Sequence, residues 1–273
     1  MSEHPPIPGF ELLQLLGRNG HLVYLARQSN SGRLVFLNVV HSSGDFGRGV
    51  AERLRQQARL LASLDHPNIL RPVEMGDAQA YGFFTALEYA DGGRVADKLH
   101  AGPLPPGQAV SIARGITGAL LYAQARAVIQ DDLTPRSILL TGDNWPKLAD
   151  FRLAGADRGK ERMGIALTPA YAAPEELSFP KGGEPAPHTD VYRVGAVLYA
   201  MLTGLPPFSR GSDTREMIRQ VREQSPVPVQ QSNPAVPADL ESVCMKCLEK
   251  SPALRYISLG ELVVALGRCL VQR

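Results

Sequence analysis

The sequence predicts an α+β chain: a small antiparallel β-sheet lobe with one main helix, then a larger, mainly α-helical lobe. Three observations carry this expectation. Short apolar or β-branched runs broken by turn residues fill residues 10 to 40, helical apolar spacing begins at Val50, and the long periodic segments beyond the glycine pair Gly92-Gly93 are helical. With 273 residues and 44% apolar composition, the chain can bury a substantial core.

Turn signals at Gly17 to Gly20 and at Asn30-Ser31-Gly32 divide the first stretch into a three-stranded meander. Val50, Leu54, Ala58, Leu61 and Ala62 then recur at helical spacing, with Arg53, Arg55, Gln56 and Arg59 on the outer face. Two more strand-like runs, Ile69 to Glu74 and Tyr81 to Glu88, complete the small lobe, and Gly92-Gly93 reads as a hinge. Helices are expected from Gly107 to Ala125 and from Asp190 to Thr203, where Val191, Val194, Val197, Leu198 and Leu202 mark a buried stripe. Proline-rich stretches at Pro103 to Pro106, Pro206-Pro207 and Pro226 to Pro237 are connectors, because proline fixes φ and removes a donor. The expected division is a tail at 1–8, a small lobe at 9–90 and a large lobe at 91–273.

Charge and cysteines narrow the function classes. The 29 basic against 27 acidic residues leave no electrostatic footprint for nucleic acid. No apolar run is long enough for a membrane helix and the start lacks a signal pattern, so a cytoplasmic protein is expected. Cys244, Cys247 and Cys269 are too few for a disulfide framework. The Cys-x-x-Cys pair lies in an amphipathic helical pattern with no second ligand pair nearby, which reads as core thiols. His66 belongs to a turn.

Three motifs carry a family resemblance. The strand Arg33 to Val40 resembles the Val-Ala-Ile-Lys strand of protein kinases, Asp150-Phe151-Arg152 stands where the family has Asp-Phe-Gly, and Ala173-Pro174-Glu175 reproduces Ala-Pro-Glu. Over about residues 8 to 270 the chain resembles a bacterial serine/threonine protein kinase, which implies the two-lobed kinase fold. The resemblance also implies structural roles for Asp190, at the start of the central helix and bonded to the catalytic-loop backbone, and for a Glu175–Arg255 ion pair.

The same resemblance places substitutions throughout the nucleotide site. Asn38 occupies the position of the phosphate-binding lysine, Gln57 that of its glutamate partner, and no lysine precedes Lys98. Of the remaining small-lobe cations, Arg27 and Arg33 flank a hairpin turn and are expected to face solvent; Arg18 is the third. The glycine loop keeps Gly17, while Asn19, His21 and Leu22 bring side chains into space reserved for phosphate; Val23 follows the loop. Phe36 replaces the alanine that packs on adenine and is expected to fill that space itself. Leu87 and Leu139 are assigned to the same degenerate site.

In the catalytic loop, Asp132 keeps the position of the base, Thr134 replaces a lysine and Ser137 replaces the second metal ligand. Asp150 keeps the other metal position, and Arg152 is expected to fold onto Asp150, Asp131 or Asp132. Asp131 replaces the arginine that would receive a phosphate, residues 151–167 contain no Ser, Thr or Tyr, and Thr168 is read as structural.

Phosphoryl transfer is mostly positioning and charge neutralisation, so each missing cation matters. The expected function is therefore a pseudokinase: a regulatory or scaffolding module for protein partners, such as an active kinase or its substrate, with impaired or absent ATP binding and no cofactor. The alternative is an unconventional serine/threonine kinase using ATP, Mg, Asp132 and Asp150, or nucleotide binding without turnover.

Overall fold

The computed structural model describes residues 7–18, 22–40, 44–78, 82–130, 132–149, 151–153, 168–177, 187–208 and 213–271. The chain forms two compact units, Met1–Ala90 and Asp91–Arg273.

The first unit is a five-stranded antiparallel sheet with one long helix. Its strands are β1 (Phe10–Arg18), β2 (Leu22–Gln28), β3 (Leu34–Val40), β4 (Pro72–Asp77) and β5 (Phe83–Glu88), in spatial order β1-β2-β3-β5-β4. Helix α1 (Gly44–Ala62) enters between β3 and β4. Strand alternation sorts the side chains. Val35, Leu37 and Val39 of β3 join Tyr24, Ala26, Phe84 and Ala86 in the main cluster, while Val40 packs with Ala51, Leu54 and Phe83 on the helix side.

The fourth strand begins three residues later than the sequence suggests. Ile69 donates its N–H to the His66 carbonyl at 3.1 Å, and Asn68 donates to the His66 ring Nδ1 at 3.1 Å. This turn absorbs Ile69 and Leu70 into the core, and β4 opens with Pro72, tolerated because β4 is an edge strand.

The second unit is mainly helical. It contains α2 (Val95–Leu99), α3 (Pro106–Gln124), the short strands β6 (Val128–Gln130), β7 (Ile138–Leu140), β8 (Pro146–Leu148) and β9 (Phe151–Leu153), then α4 (Pro187–Thr203), α5 (Thr214–Glu223), α6 (Val229–Ser232), α7 (Ala238–Cys247) and α8 (Leu259–Val271). Pro106 opens α3 in a first-turn position where its missing N–H costs nothing. Helix α4 is the hub: Val191, Val194, Val197, Leu198 and Leu202 are all fully buried.

The cysteine pair explains one close packing. Cys244 donates its thiol to the Gly195 carbonyl at 3.7 Å, and any Cβ at Gly195 would collide with that of Cys247. Both thiols are buried, and desolvation pushes each well above its ordinary pKa.

The boundary between the two units falls between Ala90 and Asp91, inside the segment from Glu88 to Gly93, and the glycine pair itself is bonded to the β7–β8 hairpin. Gly92 donates to the Leu140 carbonyl at 2.7 Å, Leu140 donates to the Gly93 carbonyl at 2.8 Å, and Gly142 donates to the Asp91 carboxylate at 2.5 Å. A Cβ on Gly92 would collide with the Thr141 carbonyl, and Gly93 has φ +75°. Close approach and backbone conformation demand glycine here. Both glycines strap the chain to the β7–β8 hairpin, inside the second unit.

Candidate functional site

In the first unit, one face of the sheet carries the residues of interest. Asn38 lies opposite Val23 on β2 and Thr85 on β5; Phe36 lies opposite Leu25 and Leu87. Because Val35, Leu37 and Val39 take the opposite face, Phe36 and Asn38 are both half-buried on the side shared with Thr85 and Leu87. Asn38 donates from Nδ2 to the Thr85 hydroxyl at 3.3 Å. Thr85 is buried, and sequence reading missed it because its partner is 47 positions away.

Gln57 is half-buried on α1, and among the described residues no hydrogen bond joins it to Asn38. The Phe36 ring stands edge-on to Tyr89 with centroids 4.9 Å apart, a favourable aromatic geometry. Gly17 pairs with Val23 across β1 and β2. Asn19 and His21 lie outside the described residues, and the Arg18 side chain is also undescribed.

None of Val23, Leu25, Phe36, Asn38, Thr85 and Leu87 is a cation, and Arg27, the next residue along that face of β2, is exposed. Arg27 pairs with Glu11 at 3.1 Å, and Arg33 is exposed. Arg55 on α1 bonds Asp77 at 2.6 Å and sits 4.5 Å above the Phe83 ring, so its charge is already engaged.

In the second unit, the loop between β6 and β7 is closed on itself. Thr134 donates its N–H to the Ser137 hydroxyl at 3.1 Å, and that hydroxyl donates back to the Thr134 carbonyl at 3.0 Å. Arg136 donates its N–H to the Thr134 hydroxyl at 3.2 Å. Thr134 and Ser137 are both buried, as is Leu139 at the centre of β7. Asp132, half-buried, accepts from Thr168 on both oxygens: from the N–H at 3.1 Å and from the hydroxyl at 2.8 Å. Asp131 and Asp150 lie outside the described residues. Arg152 pairs with Ile129 through the β6–β9 ladder, but its side chain is not described, so its expected fold onto an aspartate lies outside them as well.

Two ion-pair systems frame this loop. Arg255, buried, donates to Glu175 through both terminal nitrogens at 2.7 and 2.8 Å and to the carbonyls of His188, Glu249 and Lys250. Burial raises the Glu175 pKa, but the Arg255 hydrogen bonds, with help from Thr189, outweigh it and leave the carboxyl below its ordinary value. Asp190 accepts from Gln124 at 2.7 Å and from Arg193 at 3.3 Å. Burial raises its pKa despite both donors. Arg193 donates to the Gln130 carbonyl at the end of β6 at 2.9 Å, and the bond expected from Asp190 to the loop backbone falls beside Asp131, outside the described residues. Arg193 was readable in principle as the single charge in the apolar run from Val191 to Leu202.

A five-stranded sheet unit, a mainly helical unit and this loop geometry define a class, and sequence comparison gives the family. The protein kinase domain model matches residues 10–263, and the chain belongs to that family. It is 31% identical over 268 residues to the serine/threonine-protein kinase PknB of Mycobacterium leprae, covering 95% of this chain and 42% of that protein. It is 33% identical over 261 residues to PknD of Mycobacterium tuberculosis, covering 94% and 39%. Against the serine/threonine-protein kinase pkn2 of Myxococcus xanthus it is 30% identical over 270 residues, covering 94% and 32%. The chain thus spans less than half the length of these relatives. Among the described residues no helix is long and apolar enough to cross a membrane.

Proposed function

We propose that this protein kinase domain has lost phosphoryl transfer and works as a regulatory or scaffolding module, a pseudokinase with impaired or absent ATP binding. The observation that carries this reading is that Asn38, Thr134 and Ser137 are neutral and bonded within their own chain. Asn38 bonds Thr85, the Thr134 hydroxyl accepts the Arg136 N–H, and the Ser137 hydroxyl bonds the Thr134 backbone, so none offers a cation to phosphate. Phe36, already braced against Tyr89, takes the place of adenine in this reading. Function then passes to protein surfaces, with an active kinase or its substrate as partner and no resident cofactor. Removal of even one well-placed electrostatic group costs about 2.7 to 4 kcal/mol of transition-state stabilisation.

The names of the relatives favour a second reading, an ATP- and Mg-dependent serine/threonine kinase with Asp132 as base and Asp150 on the metal, or a nucleotide binder without turnover. Thermal denaturation with and without ATP and magnesium, beside radiolabel transfer to generic protein substrates, separates them. A binder at a hundred times its dissociation constant gains about 2.7 kcal/mol, raising the midpoint by several degrees. No shift and no transfer is the expected result. Transfer that Asp132→Asn abolishes would establish the kinase reading instead, and a shift without transfer would leave nucleotide as a structural ligand.

A further inference from the structure

Adjacent glutamates, Glu175 and Glu176, engage two arginines on different elements. Glu175 takes Arg255, whereas Glu176 takes Arg193 in the middle of α4. The Arg193 guanidinium is buried and donates through Nε to Glu176 at 3.0 Å, through Nη2 to the other Glu176 oxygen, and through Nη1 to the Gln130 carbonyl at 2.9 Å and to Asp190 at 3.3 Å. Glu176 also accepts the Ala173 N–H at 3.1 Å, so the carboxylate that grips Arg193 shapes the turn to which it belongs.

One side chain therefore joins three separate pieces of chain: the segment 168–177, the strand end at Gln130 and helix α4. The joint is electrostatically demanding. Burial works against the Arg193 charge, yet Glu176 and Asp190, with Asp132 further off, hold it protonated. Opening the joint would leave a buried charge without its partner, which is strongly unfavourable. The opposite end of the segment is held in parallel by Thr168 on Asp132. Residues 151–167 offer no hydroxyl to phosphorylate, the Thr168 hydroxyl is bonded to Asp132, and the other hydroxyl of the segment, on Tyr171, is half-buried.

We propose that Arg193 is a latch that keeps the 168–177 segment permanently assembled on the second unit, so that its conformation is independent of phosphorylation. This holds under either functional reading, because it concerns the assembly of the segment and not the nucleotide. Hydrogen–deuterium exchange on the full chain tests it. In Arg193→Met, amide exchange across 168–177 rises at least tenfold, while exchange in Pro106–Gln124 and Leu259–Val271 stays as in the parent; Arg193→Lys falls between. Unchanged exchange in 168–177, or an equal rise in all three segments, overturns the proposal. If Arg193→Met does not fold, Glu176→Gln, which keeps the side-chain shape and the Arg193–Asp190 contact, decides on the same criteria. Phosphatase-treated and untreated parent protein exchange identically in 168–177; a tenfold difference between them also overturns it.

Discussion

Thr168 donates its backbone N–H and its hydroxyl to the two carboxylate oxygens of Asp132, at 3.1 and 2.8 Å. The aspartate in the position of a catalytic base is thus an acceptor for the start of the 168–177 segment. Hydrogen bonds to charged groups contribute about 1.5 to 3 kcal/mol. Thr168→Val, which keeps the shape and removes the hydroxyl, should lower stability by about 1.5 kcal/mol in a denaturant titration. An unchanged midpoint would show that the hydroxyl bond contributes nothing.

The amide of Asn38 donates to Thr85 in the first unit, where the proposed reading expects no grip on nucleotide. Asn38→Lys alone is expected to bring no nucleotide binding, because Phe36 keeps its place and Gln57 offers no counter-charge. The triple variant Phe36→Ala, Asn38→Lys, Gln57→Glu should acquire an ATP- and Mg-dependent rise in melting temperature of several degrees. If the single variant binds as well as the triple, Phe36 is not the obstacle.

Arg255 and Glu175 give an acid-sensitive contribution to stability. The folded Glu175 pKa lies below its unfolded value of about 4.3. Its stabilisation is therefore fully present above that pH and disappears as pH falls through the folded value. Arg255→Met should cost about 3 to 5 kcal/mol at neutral pH by leaving Glu175 without its partner. Glu175→Gln should flatten the acid limb of the stability profile; an acid limb identical to the parent's counts against the pair.

Lys250 gives a slope of the same sign in a higher pH window. Burial, reinforced by Arg255, lowers its pKa to about 8, while its amine donates to the Val221 carbonyl at 2.6 Å and lies 4.1 Å above the Phe208 ring. Between pH 8 and the unfolded value of about 10.4, the unfolded chain binds the extra proton, so stability rises with pH across that window. Lys250→Met should remove this rise from melting curves at pH 7.5, 8.5 and 9.5. A rise of equal size in the variant assigns the effect to another group.

Gly92→Ala tests the strap on the β7–β8 hairpin. The added methyl meets the Thr141 backbone carbonyl, which cannot rotate away as a side-chain tip would. A loss of more than about 2 kcal/mol is expected, within the range of overpacking. Trp145, the only tryptophan, lies in the same turn and donates its N–H to the Thr141 hydroxyl at 3.0 Å, so its emission reports the disturbance directly. Unaltered stability and emission would mean the approach is looser than described.

How much of this was legible follows the range of each interaction. The family resemblance put Phe36 and Asn38 in one site, and their placement on one face of β3 is local, since it follows from period-two strand geometry. The partner of Asn38 was not legible, since only the register of β3 on β5 brings Thr85 opposite. The close approach of Gly92 to the Thr141 carbonyl was not legible, because glycine needed for flexibility and glycine needed for close approach look identical in a sequence. The β4 start slipped because His66 organises a turn that draws Ile69 and Leu70 inward. Arg193 carried a signal, a lone charge in an apolar helix, but two of its partners, Glu176 and Gln130, lie outside that helix.

The reciprocal bonds of Thr134 and Ser137 bear on how such a chain could change over time. The Ser137 hydroxyl serves the Thr134 backbone and the Thr134 hydroxyl serves Arg136, so a lysine at 134 would have to find room in a buried turn and would forfeit the Arg136 N–H bond. A ligand restored at 137 would unmake the turn from the other side. The turn couples the two positions, so that a change at either one is felt at the other.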